Sequence, residues 1–169
     1  MKRTAALFLT FFILLLTLCS CRTTSSDASC QEVLRAMTNA EISLPAGKYY
    51  GLSAPEGDEK YLSDDLISSL FGGGSYPKIA ENWIDCALYL SYSKSPCEFA
   101  VILCQSRDVA HDTAALLQAR LSAIRLTKSS PEYAQMLENA SITLIGNYAL
   151  LIISSDTETA LREAKRAIR

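Results

Sequence analysis

Between Ile84 and Ile168 the chain writes one pattern twice: two short apolar segments, then an amphipathic stripe. Ile84–Tyr92 and Phe99–Gln105 are rich in Leu, Val and Tyr and read as strands of a hairpin that turns at Lys94-Ser95-Pro96. Ser106 then caps a helix over residues 107–126, with Ala110, Ala114, Leu117, Leu121 and Ile124 on its inward face. Asp108 and Asp112 lie near the positive end of that helix, and Arg120 and Arg125 near its negative end. Ser130-Pro131 opens one further short helix through Leu137. The second copy begins with Ser141–Ile145 and Tyr148–Ser154 flanking Gly146-Asn147, a strong two-residue hairpin signal. Ser155-Asp156-Thr157-Glu158 reads as a capping box, and Ala160, Leu161, Ala164 and Ile168 stripe the last helix. Two hairpins joined edge to edge predict an α+β fold: a four-stranded antiparallel sheet with helices packed on one face. Tyr148–Ser154 is apolar on both faces and should be central.

Upstream, Val33, Leu34, Met37 and Ala40 have helical spacing within Cys30–Ile42. Ser43–Lys60 holds Pro45, Gly47, Gly51, Pro55 and Gly57 and reads as a loop. Ser63 begins a second helix, with Asp64 and Asp65 in its first turn, which stops at Gly72-Gly73-Gly74.

The N-terminus gives an address. Lys2 and Arg3 precede an apolar run from Ala5 to Leu18, too short for a stable bilayer span, and the run ends in Leu18-Cys19-Ser20-Cys21. A small residue before a cysteine, with leucine three positions upstream, is the pattern of bacterial lipoprotein processing. On this reading Cys21 receives a diacylglycerol and the peptide is cut after Ser20. Cys19 is the competing site, but it follows the bulky Leu18. An uncleaved anchor is the other competitor, and it would want roughly 20 apolar residues. The expected organisation is residues 1–20 as signal peptide, 21–29 as a flexible tether after lipidated Cys21, and 30–169 as a single α+β domain. The domain would sit on the extracytoplasmic face of the cell membrane, held there by acyl chains of the palmitate kind; two chains anchor durably where one is marginal.

Removing Lys2 and Arg3 from the 16 basic residues leaves 14 against 18 acidic ones, a net charge of −4. With no basic stripe, that argues against nucleic acid and against electrostatic docking on anionic lipid. Cys30, Cys86, Cys97 and Cys104 remain in the mature domain, and four cysteines outside the cytoplasm allow three pairings. A tight register for the first hairpin would set Cys86 opposite Cys104, within reach of a disulfide, leaving Cys30 and Cys97 as the other pair. The alternative is four reduced, buried thiols. Without a C-x-x-C, and with His111 as the only imidazole, zinc is the weaker reading.

Candidate chemistry is sparse. Asp108 precedes His111 by three residues on one helical face, so an Asp-oriented histidine is geometrically possible. A solvated surface histidine in a charged first turn is the favoured account, since the nearest nucleophiles, Ser106 and Cys104, are explained as a helix cap and a strand residue. Gly72-Gly73-Gly74-Ser75 follows a helix and precedes Tyr76-Pro77, so it is a linker and not a phosphate cradle. Asp64-Asp65 and Asp156–Glu158 sit at helix starts, where negative charge is favoured anyway. Tyr49, Tyr50, Tyr61 and Tyr76 cluster in or beside loops with Trp83 close by, and aromatics so placed either line a recognition groove or pack loops onto the sheet. No residue is assigned as catalytic, cofactor-binding or metal-ligating, and no cofactor is expected.

CEFAVILCQSRDVAHDTAALLQARL and PEYAQMLENASITLIGNYALLIISSD resemble the lipoprotein family known as domain of unknown function 4358, from Gram-positive anaerobes. The matching positions are Glu98, Tyr133, Asn139-Ala140 and Gly146-Asn147-Tyr148, and YLSDDLISSLFG is similar to the family's preceding helix. The chain departs from the family in its extra cysteines and in the long Ser43–Lys60 segment. The resemblance implies a lipoprotein with one domain and implies no reaction. The expected function is a membrane-anchored binding or accessory domain with an envelope protein partner. The alternatives are an envelope hydrolase using Glu98 or Asp108/His111, and a structural lipoprotein whose sheet edge pairs with a partner strand.

Overall fold

A computed structural model describes residues 28–41, 43–72, 76–92, 94–128 and 130–169. Cys21, the signal peptide and most of the tether lie outside the described residues. The elements run α1 (Cys30–Asn39), β1 (Gly47–Gly51), α2 (Asp64–Phe71), α3 (Tyr76–Ala80), β2 (Trp83–Ser91), β3 (Glu98–Cys104), α4 (Arg107–Thr127), a 3-10 turn (Pro131–Tyr133), α5 (Ala134–Glu138), β4 (Ser141–Ile145), β5 (Tyr148–Ile153) and α6 (Thr157–Ala167).

The class is α+β, as expected, and the strand–strand–helix repeat is present. The two hairpins join through β3 and β5, in a sheet whose order is β1-β2-β3-β5-β4 and whose neighbours are all antiparallel. The sheet has five strands, not four. The extra strand, β1, lies inside the segment read as a loop: Gly47 pairs with Ser91 and Gly51 with Ala87 along the outer edge of β2. Its two glycines look like breakers in sequence. One of them is needed for close approach, because a Cβ at Gly47 would stand 2.5 Å from the Leu90 carbonyl oxygen and from the Tyr89 ring.

The helices do not share one face. Every residue of β3 and of β5 is buried, so each strand presents apolar side chains both ways and both faces need cover. On one face Cys86, Leu88, Ala100, Ile102, Ala149, Leu151 and Ile153 pack with Ile67 and Phe71 of α2 and with Ala110, Leu117, Leu121 and Ile124 of α4. On the other, Ala87, Tyr89, Phe99, Val101, Leu103, Leu150 and Ile152 pack under Val33, Leu34 and Met37 of α1 and Ala160 and Ala164 of α6. The architecture is three layers, helix–sheet–helix. Burying two such faces supplies roughly 25 cal/mol for each Å² of apolar surface removed from water, which is what sets the sheet at the centre.

Helix ends follow the local chemistry. Ser106 accepts from the Val109 N–H and Ser63 from the Leu66 N–H, as read from the sequence. Ser29 and Glu32 form a full capping box at the start of α1. At α6 the cap falls one residue later than expected: Asp156 accepts from the Thr159 N–H at 3.0 Å. Ser155 is free to do something else and donates to Glu41 Oε1. Across the core, Trp83 Nε1 donates to Thr113 Oγ1 at 2.9 Å and fastens β2 to α4.

A cleft between helix α1 and edge strand β1

The amphipathic stripe of α1 buries Val33, Leu34 and Met37, and this leaves Gln31, Arg35 and Asn39, four residues apart, as one polar row along its flank. Beside that row runs β1. Gln31 lies over Gly51, and the Tyr49 hydroxyl donates to Thr38 Oγ1 at 2.9 Å, so strand and helix run in opposite directions. Gly47, Tyr49 and Gly51 point toward the α1 layer, and Tyr49 stands edge-on to Tyr89 with ring centroids 5.0 Å apart. The loop after β1 closes one end. Lys60 N–H donates to Asp58 Oδ1 at 2.7 Å, and the loop is sewn to β1 by Gly51 N–H to Lys60 O at 3.0 Å and Leu62 N–H to Gly51 O at 3.1 Å.

These parts enclose a cleft of about 350 Å³, lined by Gln31, Leu34, Arg35, Asn39, Tyr49 and Tyr50 with Ala54, Asp58 and Lys60 from the loop. That is within the range of small-ligand and peptide sites. Arg35 and Lys60 have no ion-pair partner among the described residues, whereas the neighbouring Lys48 is occupied by Glu59 at 3.4 Å and lies 5.5 Å from the Tyr50 ring centroid. Asp58 is the one carboxylate in the lining, so the cleft carries a positive balance within an acidic chain.

A second polar cluster lies beneath the start of α6. Glu41 is 9% exposed, and its Oε2, like the fully buried Ser154 Oγ, has no hydrogen-bond partner. Burial first, then the Glu41 and Glu98 carboxylates, push the Cys97 thiol up to about 12. Lys128, whose Nζ donates to the Ser95 carbonyl at 3.0 Å, opposes them.

The residues singled out from sequence scatter. Glu98 is buried and held by Arg120 through two hydrogen bonds, of 3.0 and 2.7 Å. Asp108 and His111 are exposed on the first turns of α4, about 18 and about 13 Å along the helix axis from Arg120. The structure does not bring the three together. Cys86 faces Ile102 and not Cys104, because the hairpin pairs two residues out of the register expected, and Cys30, Cys86, Cys97 and Cys104 are all free and buried. Among the described residues no group of three or more His, Cys, Asp or Glu side chains is arranged to hold a metal ion. Of the tyrosines, Tyr49 and Tyr50 line the cleft and Tyr61 forms an isolated bridge with Gly51. Trp83 is in the core. Sequence reasoning missed Gln31, Arg35 and Asn39, although their four-residue spacing on the polar side of a predicted helix was visible. Comparison with protein-family models, with curated proteins and with solved structures gives no match to this chain.

Proposed function

We propose that the chain is an extracytoplasmic lipoprotein anchored through Cys21, whose domain serves as a binding or accessory module of the cell envelope, with the α1–β1 cleft as its working surface. The observation that carries the reading is the pairing of that address with that cleft. A lipobox sits a short polar tether upstream of α1, and α1 itself supplies the polar row of the cleft. Two acyl chains would hold the domain at the membrane, where the cleft need bind only what passes close by. The Leu18-Cys19-Ser20-Cys21 pattern at the end of the apolar run supports the address. Among the described residues no helix is long and apolar enough to cross a membrane.

The test is affinity capture of tagged protein from native membranes in mild detergent, read by mass spectrometry, with Cys21→Ala and with Arg35→Glu/Lys60→Glu. A stoichiometric envelope component, lost from both variants, is expected. Capture that survives the double substitution would take the cleft out of the function.

A further inference from the structure

We infer that the α1–β1 cleft takes an extended acidic peptide segment, which adds to the open edge of β1 and sets its carboxylates against Arg35 and Lys60. The inference deepens the proposed function and rests on it.

The edge comes first. In an antiparallel ladder the residues of a strand alternate between bonding the neighbour and pointing their peptide groups away from it. In β1 the phase is fixed at both ends. Leu52 N–H donates to Cys86 O at 3.0 Å and Ala46 O accepts from Tyr92 N–H at 3.0 Å, so the even-numbered residues face β2. Gly51 sends its N–H and C=O the other way, to Lys60 and Leu62. Gly47 and Tyr49 therefore also aim their peptide groups outward, and among the described residues none of these four groups has a partner. Two residues spaced by two, each offering a donor and an acceptor, are what one short strand needs to dock. The loop's bridge at Gly51 already does this on a small scale, with Tyr61 as the added residue.

The flank selects the occupant. A docked strand would run beside Gln31, Arg35 and Asn39. Their side chains offer amide and guanidinium donors at intervals of one helical turn, and Lys60 adds a second cation from the loop end. The space over Gly47 and Gly51 is filled by the Tyr89 ring and the Gln31 side chain, so an incoming strand meets β1 at its edge and not on its face. Two unpaired cations against one carboxylate disfavour a basic segment and favour an acidic one. Strand addition supplies affinity through the main chain, and the cations supply the choice.

The experiment uses the full lipidated chain in detergent micelles and three capped pentapeptides: Glu-Val-Glu-Val-Glu, Lys-Val-Lys-Val-Lys, and the glutamate peptide N-methylated at alternate residues. The glutamate peptide should bind at least tenfold more tightly than the other two, lose at least tenfold in affinity with Arg35→Glu/Lys60→Glu, and slow hydrogen exchange at the Tyr49 amide. Equal binding of the lysine or methylated peptide, or binding without protection of Tyr49, would overturn the inference. Absence of glutamate-peptide binding would overturn it too. If the anchored chain still captured a component from membranes in an Arg35- and Lys60-dependent way, only the ligand class would have fallen. A saccharide competing at the same residues would be its replacement.

Discussion

The Arg120 guanidinium lies along the Glu98 carboxylate, Nη2 to Oε2 at 2.7 Å and Nε to Oε1 at 3.0 Å, and joins the middle of α4 to the first residue of β3. Glu98 is 4% exposed, so Arg120 is the partner that compensates the burial of its carboxylate. Removing one side of a buried pair leaves the other uncompensated, and Arg120→Ala should cost about 3 kcal/mol in urea unfolding. Replacing both by Leu and Met should cost far less, within about 1 kcal/mol of the parent. A destabilisation by the double variant equal to that of the single one would show that the pair matters through packing alone.

Gly47 is predicted to be intolerant of any side chain. A Cβ there meets the Leu90 carbonyl and the Tyr89 ring at 2.5 Å, and Tyr89 cannot swing away easily while its hydroxyl donates to Pro45 O. Gly47→Ala should lower stability by about 2 kcal/mol, typical of overpacking, and should speed exchange at the β1 amides before those of β3. Gly57, at φ 88 with open space around it, is the contrast: Gly57→Ala is strained by its backbone alone and should leave β1 untouched.

The four thiols should be silent in the folded state. Burial raises Cys30, Cys86, Cys97 and Cys104 above the ordinary thiol value of 9.0. A folded-state value above the unfolded one contributes stability fully present below about pH 9, which is lost as pH rises toward the folded values. Iodoacetamide at pH 8 should therefore label none of the four in the native domain and all four after unfolding, and the domain should lose stability in alkali above pH 9. A native mass two hydrogens light, or labelling at two or fewer sites after unfolding without reductant, would reveal a disulfide instead.

Acid should loosen the helix starts first. Asp156 is held below the usual carboxylate range by the Thr159 backbone N–H, and Glu32 by the Ser29 hydroxyl and then its backbone N–H. A depressed carboxylate contributes stability present above its unfolded value, about 3.8 for Asp156 and 4.5 for Glu32, and loses it as pH falls through the lower folded value. Below pH 4 the first-turn amides of α6 and α1 should exchange faster while those of β3 and β5 stay protected. Asp156→Ala should abolish the acid step at α6 and lower stability at pH 7, as loss of an N-cap does.

Much of the fold was readable because local chemistry dictated it. Gly146-Asn147 set the second hairpin, Ser63 and Ser106 set helix starts, and the stripe from Ala110 to Ile124 set the buried side of α4. What was misread came from context. Tyr148–Ile153 was legible as apolar on both faces, yet that property demands cover on both sides of the sheet as well as a central place, and only the packing of α1 and α6 makes the second cover evident. β1 was hidden because Gly47 and Gly51 speak against a strand locally, while the pairing surface that overrides them lies some forty residues away on β2. The hairpin register slipped by two residues because the bulge at Trp83/Asp85 and the Ser95–Cys97 connection are properties of the folded turn. The cleft was half legible. Its tyrosines stood out as unexplained loop aromatics, but Arg35 and Lys60 converge only once β1 is in the sheet.

The lipid anchor at Cys21 is read out by the mass of the N-terminal peptide of the protein isolated from its own membranes. The peptide is expected to begin at Cys21 and to carry diacylglycerol, with Cys21→Ala leaving residues 1–20 attached and the protein unacylated. A native N-terminus upstream of Cys21, or an unmodified Cys21, would contradict that anchor.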